Sequence, residues 1–112
     1  MPNGLLIVDK PEGVRSTDCV ARVRRAFDKG VRVGHAGTLD STASGLLVVL
    51  VGSATRLSDY VMRLPKVYRA TVRLGAETDT CDRTGEVVFR GDAACVDEAA
   101  FDRILPSFWG MR

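Results

Sequence analysis

No stretch of this sequence is long and apolar enough to cross a bilayer. The longest uninterrupted apolar run is Leu46–Val51, against the roughly 20 residues that a membrane-spanning helix needs. The N-terminal residues also lack a signal-peptide pattern: Lys10 follows the short run Leu5-Leu6-Ile7-Val8, and no small-residue cleavage site comes after it. Cysteine is scarce. Cys19, Cys81 and Cys95 are widely spaced and odd in number, which suits free thiols in a reducing compartment better than a disulfide framework. With no CxxC pair and a single histidine, a structural zinc site is not expected. A phosphate-cradling P-loop is excluded, because no Gly-Lys-Ser/Thr follows a glycine-rich turn. Internal repeats and low-complexity segments are also missing. Together these absences lead us to expect a cytoplasmic protein without membrane or metal.

What is present is an ordinary folding composition, 46% hydrophobic and 27% charged, so disorder is not expected. A chain of 112 residues has room for one compact domain and not for two. The net charge of +2 permits RNA binding without arguing for it. Arg15, Arg22, Arg24, Arg25, Lys29 and Arg32 crowd one early segment that holds only Asp18 and Asp28 as acids. Such a stripe can follow a phosphate backbone. A solvated helix face is the plainer reading, and charge alone favours it.

Gly4 to Val8 reads as a short buried strand, stopped by Lys10-Pro11 and Gly13. Ser16 is positioned to N-cap a helix with Asp18 in its first turn. Val20, Val23 and Phe27 share one face of it, and Gly30 offers a stop. Residues 33–44, with Gly34, Gly37 and small polar side chains, lack periodicity and read as a loop. Leu46–Val51 has the pattern of a strand buried on both faces. Ser53 is expected to cap a second helix with Ala54, Leu57, Val61 and Leu64 inward, ended by Pro65. Lys66 to Leu74 alternates, with Tyr68, Ala70, Val72 and Leu74 on one face, as in a half-buried strand. Glu86 to Phe89 is its expected partner, reached through a polar loop from Gly75 to Gly85. Asp97 is expected to cap a last helix ending before Pro106, with Val96 and Phe101 as a hydrophobic staple. The class is α+β: a mixed, largely antiparallel sheet with flanking helices. Phe108 and Trp109 near the C-terminus suggest either that the natural chain continues and covers them or that they dock on their own core.

Chemistry concentrates in Gly34-His35-Ala36-Gly37-Thr38-Leu39-Asp40-Ser41-Thr42-Ala43-Ser44-Gly45-Leu46-Leu47. Here a glycine-permitted loop leads into the most apolar strand and carries the lone histidine and a carboxylate. Loops held by rigid strands are favoured places for sites. Taken alone the signal is weak, since an Asp in such a loop usually caps a helix or closes an Asx-turn.

The order of these residues resembles the TruB family of tRNA pseudouridine synthases and their guide-RNA-dependent relatives, which carry G-H-x-G-T-L-D-P-x-A-x-G-L-L. The match runs through Gly34, His35, Gly37, Thr38, Leu39, Asp40, Ala43, Gly45, Leu46 and Leu47. Upstream, Asp9-Lys10-Pro11-Glu12-Gly13 resembles the family's opening D-K-P-x-G, with Ser16 at the serine that follows. Downstream, Lys66-Val67-Tyr68 resembles its K-x-Y. Arg73-Leu74-Gly75 with Thr78-Asp79-Thr80, Asp82 and Thr84-Gly85-Glu86-Val87 is a fourth match, and Leu105-Pro106-Ser107-Phe108 a fifth. All are collinear and cover almost the whole chain. Two positions depart from the pattern: Ser41 stands where proline is usual, and Arg15 where a small hydroxyl residue is common.

The resemblance implies an isomerase, an intramolecular transferase that converts one T-loop uridine of tRNA (position 55 in tRNA numbering) to pseudouridine without cofactor or metal. It implies Asp40 as the catalytic carboxylate, acting at the electron-poor C1′ as the glycosidic bond breaks; whether as nucleophile, electrostatic partner or base stays open. Tyr68 is implied as the face on which the flipped base lies, although its place on an apolar strand face also fits plain core. His35 is implied to fill the gap that the flipped uridine leaves; without the resemblance it reads as a turn histidine. Lys10, Pro11, Gly37, Thr38 and Leu39 are implied to shape and support the site, and Asp79 and Asp82 are read as loop carboxylates without chemistry.

The resemblance further implies that residues 1–112 are the N-terminal half of a pseudouridine synthase catalytic domain. The later half, with its partner arginine and a C-terminal RNA-binding domain, is then absent. Such a piece is expected to be inactive alone and prone to self-associate, while the full-length protein is expected to be monomeric, with the tRNA T-stem-loop as partner. Two other readings stand beside this: a non-catalytic tRNA-binding or chaperone module, and a guide-RNA-dependent, dyskerin-like synthase. A start close to the D-K-P motif suits the stand-alone bacterial enzyme.

Overall fold

The computed structural model describes residues 2–110. The chain divides into two compact units, 1–68 and 69–112. In the first, strand β1 (Gly4–Lys10) is followed by helix α1 (Ser16–Arg24), strands β2 (Val33–Ala36) and β3 (Gly45–Val51), a 3-10 segment and the short helix α2 (Ser58–Met62). The three strands form one antiparallel sheet in the order β1-β3-β2. The apolar run 46–51 therefore takes the centre, paired with β1 along its whole length and with β2 from Val48 to Val51. Lys10 faces Gly45 and Gly4 faces Val51 on one side; Val33 faces Val51 and His35 faces Val49 on the other.

Because strand side chains alternate, Leu47, Val49 and Val51 point together onto Cys19 and Val20 of α1 and onto Val31 and Val33. Val8, Val14, Val23, Phe27 and Leu39 complete this cluster from its margin. The expected face holds within α1 for Val20 and Val23, whereas Phe27 lies past the end of the helix and packs on the same cluster from the turn that follows. On the opposite side of the sheet Leu50 and Ala36 are buried, but Leu5, Ile7 and Leu46 are exposed. The expectation of a buried first strand and of a third strand buried on both faces is corrected accordingly: that second face is covered at Leu50 and Ala36 and open along β1 and at Leu46.

Other local expectations are corrected by tertiary bonds. The N-cap of α1 is Arg15 rather than Ser16. The Asp18 carboxylate accepts from the Arg15 backbone N–H and guanidinium, and that guanidinium holds the Asp18 carboxyl below its usual range. The helix ends at Arg24, well before Gly30. Residues 33–36 are strand, not loop; Gly34 and a lone histidine hide a short strand that β3 recruits as its edge partner. Ser53 caps nothing. It lies inside the 3-10 segment Gly52–Leu57 and donates its N–H and hydroxyl to Asn3 Oδ1.

In the second unit, β4 (Ala76–Thr78) and β5 (Val87–Arg90) form an antiparallel hairpin, followed by helix α3 (Glu98–Ile104). Asp97 caps α3 as expected, accepting from the Ala100 N–H at 2.7 Å. Val96 and Phe101 line one apolar cavity of about 470 Å³ with Leu74, Phe89, Ile104 and Phe108. The partner of β5 lies within the segment expected to be loop, while 66–73 forms no strand. Alternation sets which side chains would share a face but supplies no partner for the ladder, and among the described residues none pairs with this segment. Phe108 and Trp109 are exposed rather than docked. All three cysteines are free thiols. The architecture is α+β with every strand pair antiparallel. Among the described residues no helix is long and apolar enough to cross a membrane.

Candidate active site

Strands β2 and β3 are consecutive and antiparallel, so residues 37–44 are the loop of a hairpin. The loop leaves β2 at Gly37, whose φ of +88° is a left-handed conformation that side chains other than glycine rarely adopt. Next to it, His35 Nδ1 lies 2.7 Å from the Gly37 carbonyl oxygen. A carbonyl only accepts, so Nδ1 carries the proton and Nε2 is left as the ring's acceptor in the neutral form.

The loop is held from outside. The Leu39 side chain packs on the core cluster, and the Leu39 backbone is gripped by Ser16. Ser16 Oγ donates to the Leu39 carbonyl at 2.8 Å and accepts from its N–H at 3.0 Å. Two residues on, the Ser41 carbonyl accepts from the Gly13 N–H at 2.7 Å and from Lys10 Nζ at 3.5 Å. Lys10 is 0% exposed. Its ammonium also donates to the Val14 carbonyl at 2.6 Å and the Pro11 carbonyl at 3.1 Å, so its three protons meet three carbonyls. The proline that is usual at position 41 would offer the same carbonyl. This chain therefore gives up a fixed φ and keeps the brace.

Asp40 sits between these two anchors. Its backbone carbonyl closes a turn by accepting from the Ala43 N–H at 3.0 Å. Its carboxylate is exposed and, among the described residues, has no hydrogen-bond or ion-pair partner. The plain reading of an Asp in such a loop, a cap or an Asx-turn, does not describe it.

The structure thus gathers His35, Gly37, Thr38, Leu39 and Asp40 on one hairpin and braces it with Lys10 beside Pro11. Tyr68 is not joined to them by any described hydrogen bond. It is 68% exposed in an irregular stretch, which removes the reading of Tyr68 as core within the described residues. Sequence reasoning missed the grip of Ser16 on Leu39. A bond between residues 23 positions apart leaves no trace in local periodicity.

The family model for "TruB family pseudouridylate synthase (N terminal domain)" matches residues 24–112. The chain belongs to the TruB family of pseudouridylate synthases. Curated relatives agree. The tRNA pseudouridine synthase B of Thermobifida fusca is 56% identical over 100 residues, covering 89% of this chain and 34% of the relative. That of Corynebacterium efficiens is 46% identical over 108 residues, 96% of this chain and 36% of the relative. That of Aquifex aeolicus is 47% identical over 95 residues, 83% of this chain and 33% of the relative. The chain spans about a third of the length of these TruB relatives.

Proposed function

We propose that the protein carrying this chain is a tRNA pseudouridine synthase that isomerises the T-loop uridine at position 55, with Asp40 as its catalytic carboxylate. The observation that carries this is the contrast within one loop. The residues on either side of Asp40 are tied to buried groups, while its own carboxylate is exposed and spent on nothing. In the reaction the N1–C1′ bond breaks and the uracil turns. A C5–C1′ bond then forms, C5 loses its proton and N1 gains one. C1′ is electron-poor while the base is detached, and a fixed carboxylate beside it stabilises that centre by charge or by a covalent bond. The names of these relatives, each a tRNA pseudouridine synthase B, support this over a guide-RNA-dependent enzyme.

In this reading His35 stacks in the gap left by the flipped uridine. With Nδ1 committed to Gly37, Nε2 is the atom that meets an RNA donor. The exposed ring of Tyr68 supplies a face for the extruded base. Lys10, Pro11, Gly37, Thr38 and Leu39 hold the hairpin. The test is Asp40→Asn in the full-length protein, read by tritium release from C5-labelled tRNA and by filter binding. Turnover is expected to vanish while tRNA binding, dominated by phosphate and shape contacts, persists. Near-normal turnover would overturn the assignment.

A further inference from the structure

We propose that Ser16 is a positioning residue for Asp40, an inference that rests on the reading of Asp40 as the catalytic carboxylate. A carboxylate that makes no bond of its own can be aimed only by its backbone. The peptide that enters Asp40 is formed by the Leu39 carbonyl, and that carbonyl accepts from Ser16 Oγ at 2.8 Å. The preceding peptide is held too, because the Leu39 N–H donates to the same oxygen at 3.0 Å. One hydroxyl thereby fixes the planes of two successive peptides, and the second of them sets the direction in which the Asp40 Cα–Cβ bond leaves the loop.

The brace is itself rigid. Ser16 is 2% exposed and opens α1, whose Cys19 and Val20 are buried in the cluster that receives the Leu39 side chain. Ser16 stands one position inside that helix, whose N-cap is Arg15, and its hydroxyl is engaged with Leu39 rather than with the helix end. Helix, core and hairpin loop are coupled at this oxygen. A displacement of about 1 Å at a reacting group costs about a hundredfold in rate, so partial loosening of the Leu39–Asp40 peptide is expected to cost about tenfold.

The experiment compares Ser16→Ala, Ser16→Cys, Val20→Ala and Asp40→Asn in the full-length protein. Single-turnover rates at saturating tRNA, tRNA affinity and melting temperature are measured for each. Ser16→Cys keeps the volume and weakens the hydrogen bonds, so it decides the matter if the alanine variant does not fold. Val20→Ala loosens the same helix and the cluster under Leu39 but leaves both Ser16–Leu39 hydrogen bonds in place. Both Ser16 variants are expected to lose about tenfold in rate with affinity within about twofold of wild type, whereas Val20→Ala loses stability and keeps its rate. Ser16 variants that fold and turn over like wild type, while Asp40→Asn is dead, would show that Ser16 only supports the fold. A loss in rate matched by Val20→Ala would overturn the inference equally. An active Asp40→Asn would instead overturn the reading of Asp40 itself.

Discussion

Two hairpin loops of this chain use their carboxylates in opposite ways. In the β4–β5 hairpin, residues 79–86, the acids hold the turn. Asp79 Oδ1 accepts from the Glu86 N–H at 3.0 Å. Asp82 Oδ1 accepts from the Thr80 hydroxyl at 2.7 Å and from the Thr84 N–H and hydroxyl at 2.8 and 2.5 Å. In the β2–β3 hairpin, residues 37–44, the loop is held from outside by Ser16, Gly13 and Lys10, and the Asp40 carboxylate takes no part. An acid that closes its own turn has its lone pairs occupied by neighbours. An acid in a turn that other residues close keeps them for a substrate. Sequence alone does not separate the two cases, since both loops are rich in Gly, Thr and Asp.

Exchanging the consequences gives the largest expected effect. Asp40→Asn is expected to lower turnover by at least about a thousandfold and to change stability by less than about 0.5 kcal/mol, as for a surface side chain without partners. Asp82→Ala is expected to do the reverse, lowering the melting temperature with turnover per folded molecule intact. Tritium release and thermal melts on both variants check the pair. A destabilised Asp40→Asn would mean that its carboxylate is a structural group after all.

The next effect tests the external brace. Lys10→Met keeps the buried stem and removes the ammonium, leaving the Val14, Pro11 and Ser41 carbonyls without that donor. The Ser41 carbonyl keeps the Gly13 N–H and Pro11 is exposed, so the loss falls chiefly on the Val14 carbonyl and the emptied site, and about 1–3 kcal/mol is expected. Urea unfolding should show a lower midpoint at unchanged slope. Turnover should fall as well, because Ser41 follows Asp40 directly. A midpoint within experimental error of wild type would remove Lys10 from the brace.

How far this was legible in the sequence follows from the range of each interaction. Asp97 as a cap, the Val20–Val23 face of α1 and Leu46–Val51 as a strand were readable because each rests on neighbours within a turn or on simple alternation. The short strand at 33–36 was not, because it exists by pairing with β3. For the same reason alternation overreached at Lys66–Leu74, where no described residue completes a ladder. Asp40, His35 and Lys10 were picked out by motif resemblance. What makes Asp40 distinctive, an unspent carboxylate between two gripped neighbours, required the long-range bonds of Ser16 and Lys10. Ser16 itself read as a helix cap, the commonest local use of such a serine.

A smaller effect separates the two turns through their glycines. At Gly85 a Cβ would run into the Thr80 hydroxyl and the Asp79 carboxylate oxygen, so Gly85→Ala must disrupt the acid-held turn, at about 1–3 kcal/mol. At Gly37 the space is open apart from ordinary contact with the Lys66 side chain at 3.7 Å. There the cost is the left-handed backbone, about 1–2 kcal/mol. Gly85→Ala is expected to lower stability alone, whereas Gly37→Ala lowers turnover too, since it shifts the entry to the Asp40 loop. Equal turnover in both variants would deny that the first hairpin is the functional one.

The smallest effect is a pH dependence confined to the acid-held turn. The Asp82 carboxyl lies below its ordinary value of 3.8, chiefly through the Thr84 hydroxyl, then the Thr80 hydroxyl and the Thr84 N–H. All three donate to the ionised form, which they favour over the protonated one. The folded state therefore binds this proton less readily than the unfolded state. The stability that Asp82 contributes is fully present above its unfolded value and is lost as pH falls through the folded one. The Thr84 amide proton resonance should report that titration in the folded protein, with a midpoint below 3.8. Because the donors are neutral hydroxyls and an amide, added salt should move this midpoint little. Asp18 is the internal control: its carboxyl is lowered by the Arg15 guanidinium, a full charge on an exposed pair that salt screens. Raising the ionic strength should bring the Asp18 midpoint back towards its ordinary value while Asp82 stays in place. A Thr84 midpoint at or above 3.8, or one that follows salt as Asp18 does, would show that the second turn is not held by its own carboxylate, and the contrast between the two hairpins would fail at that end.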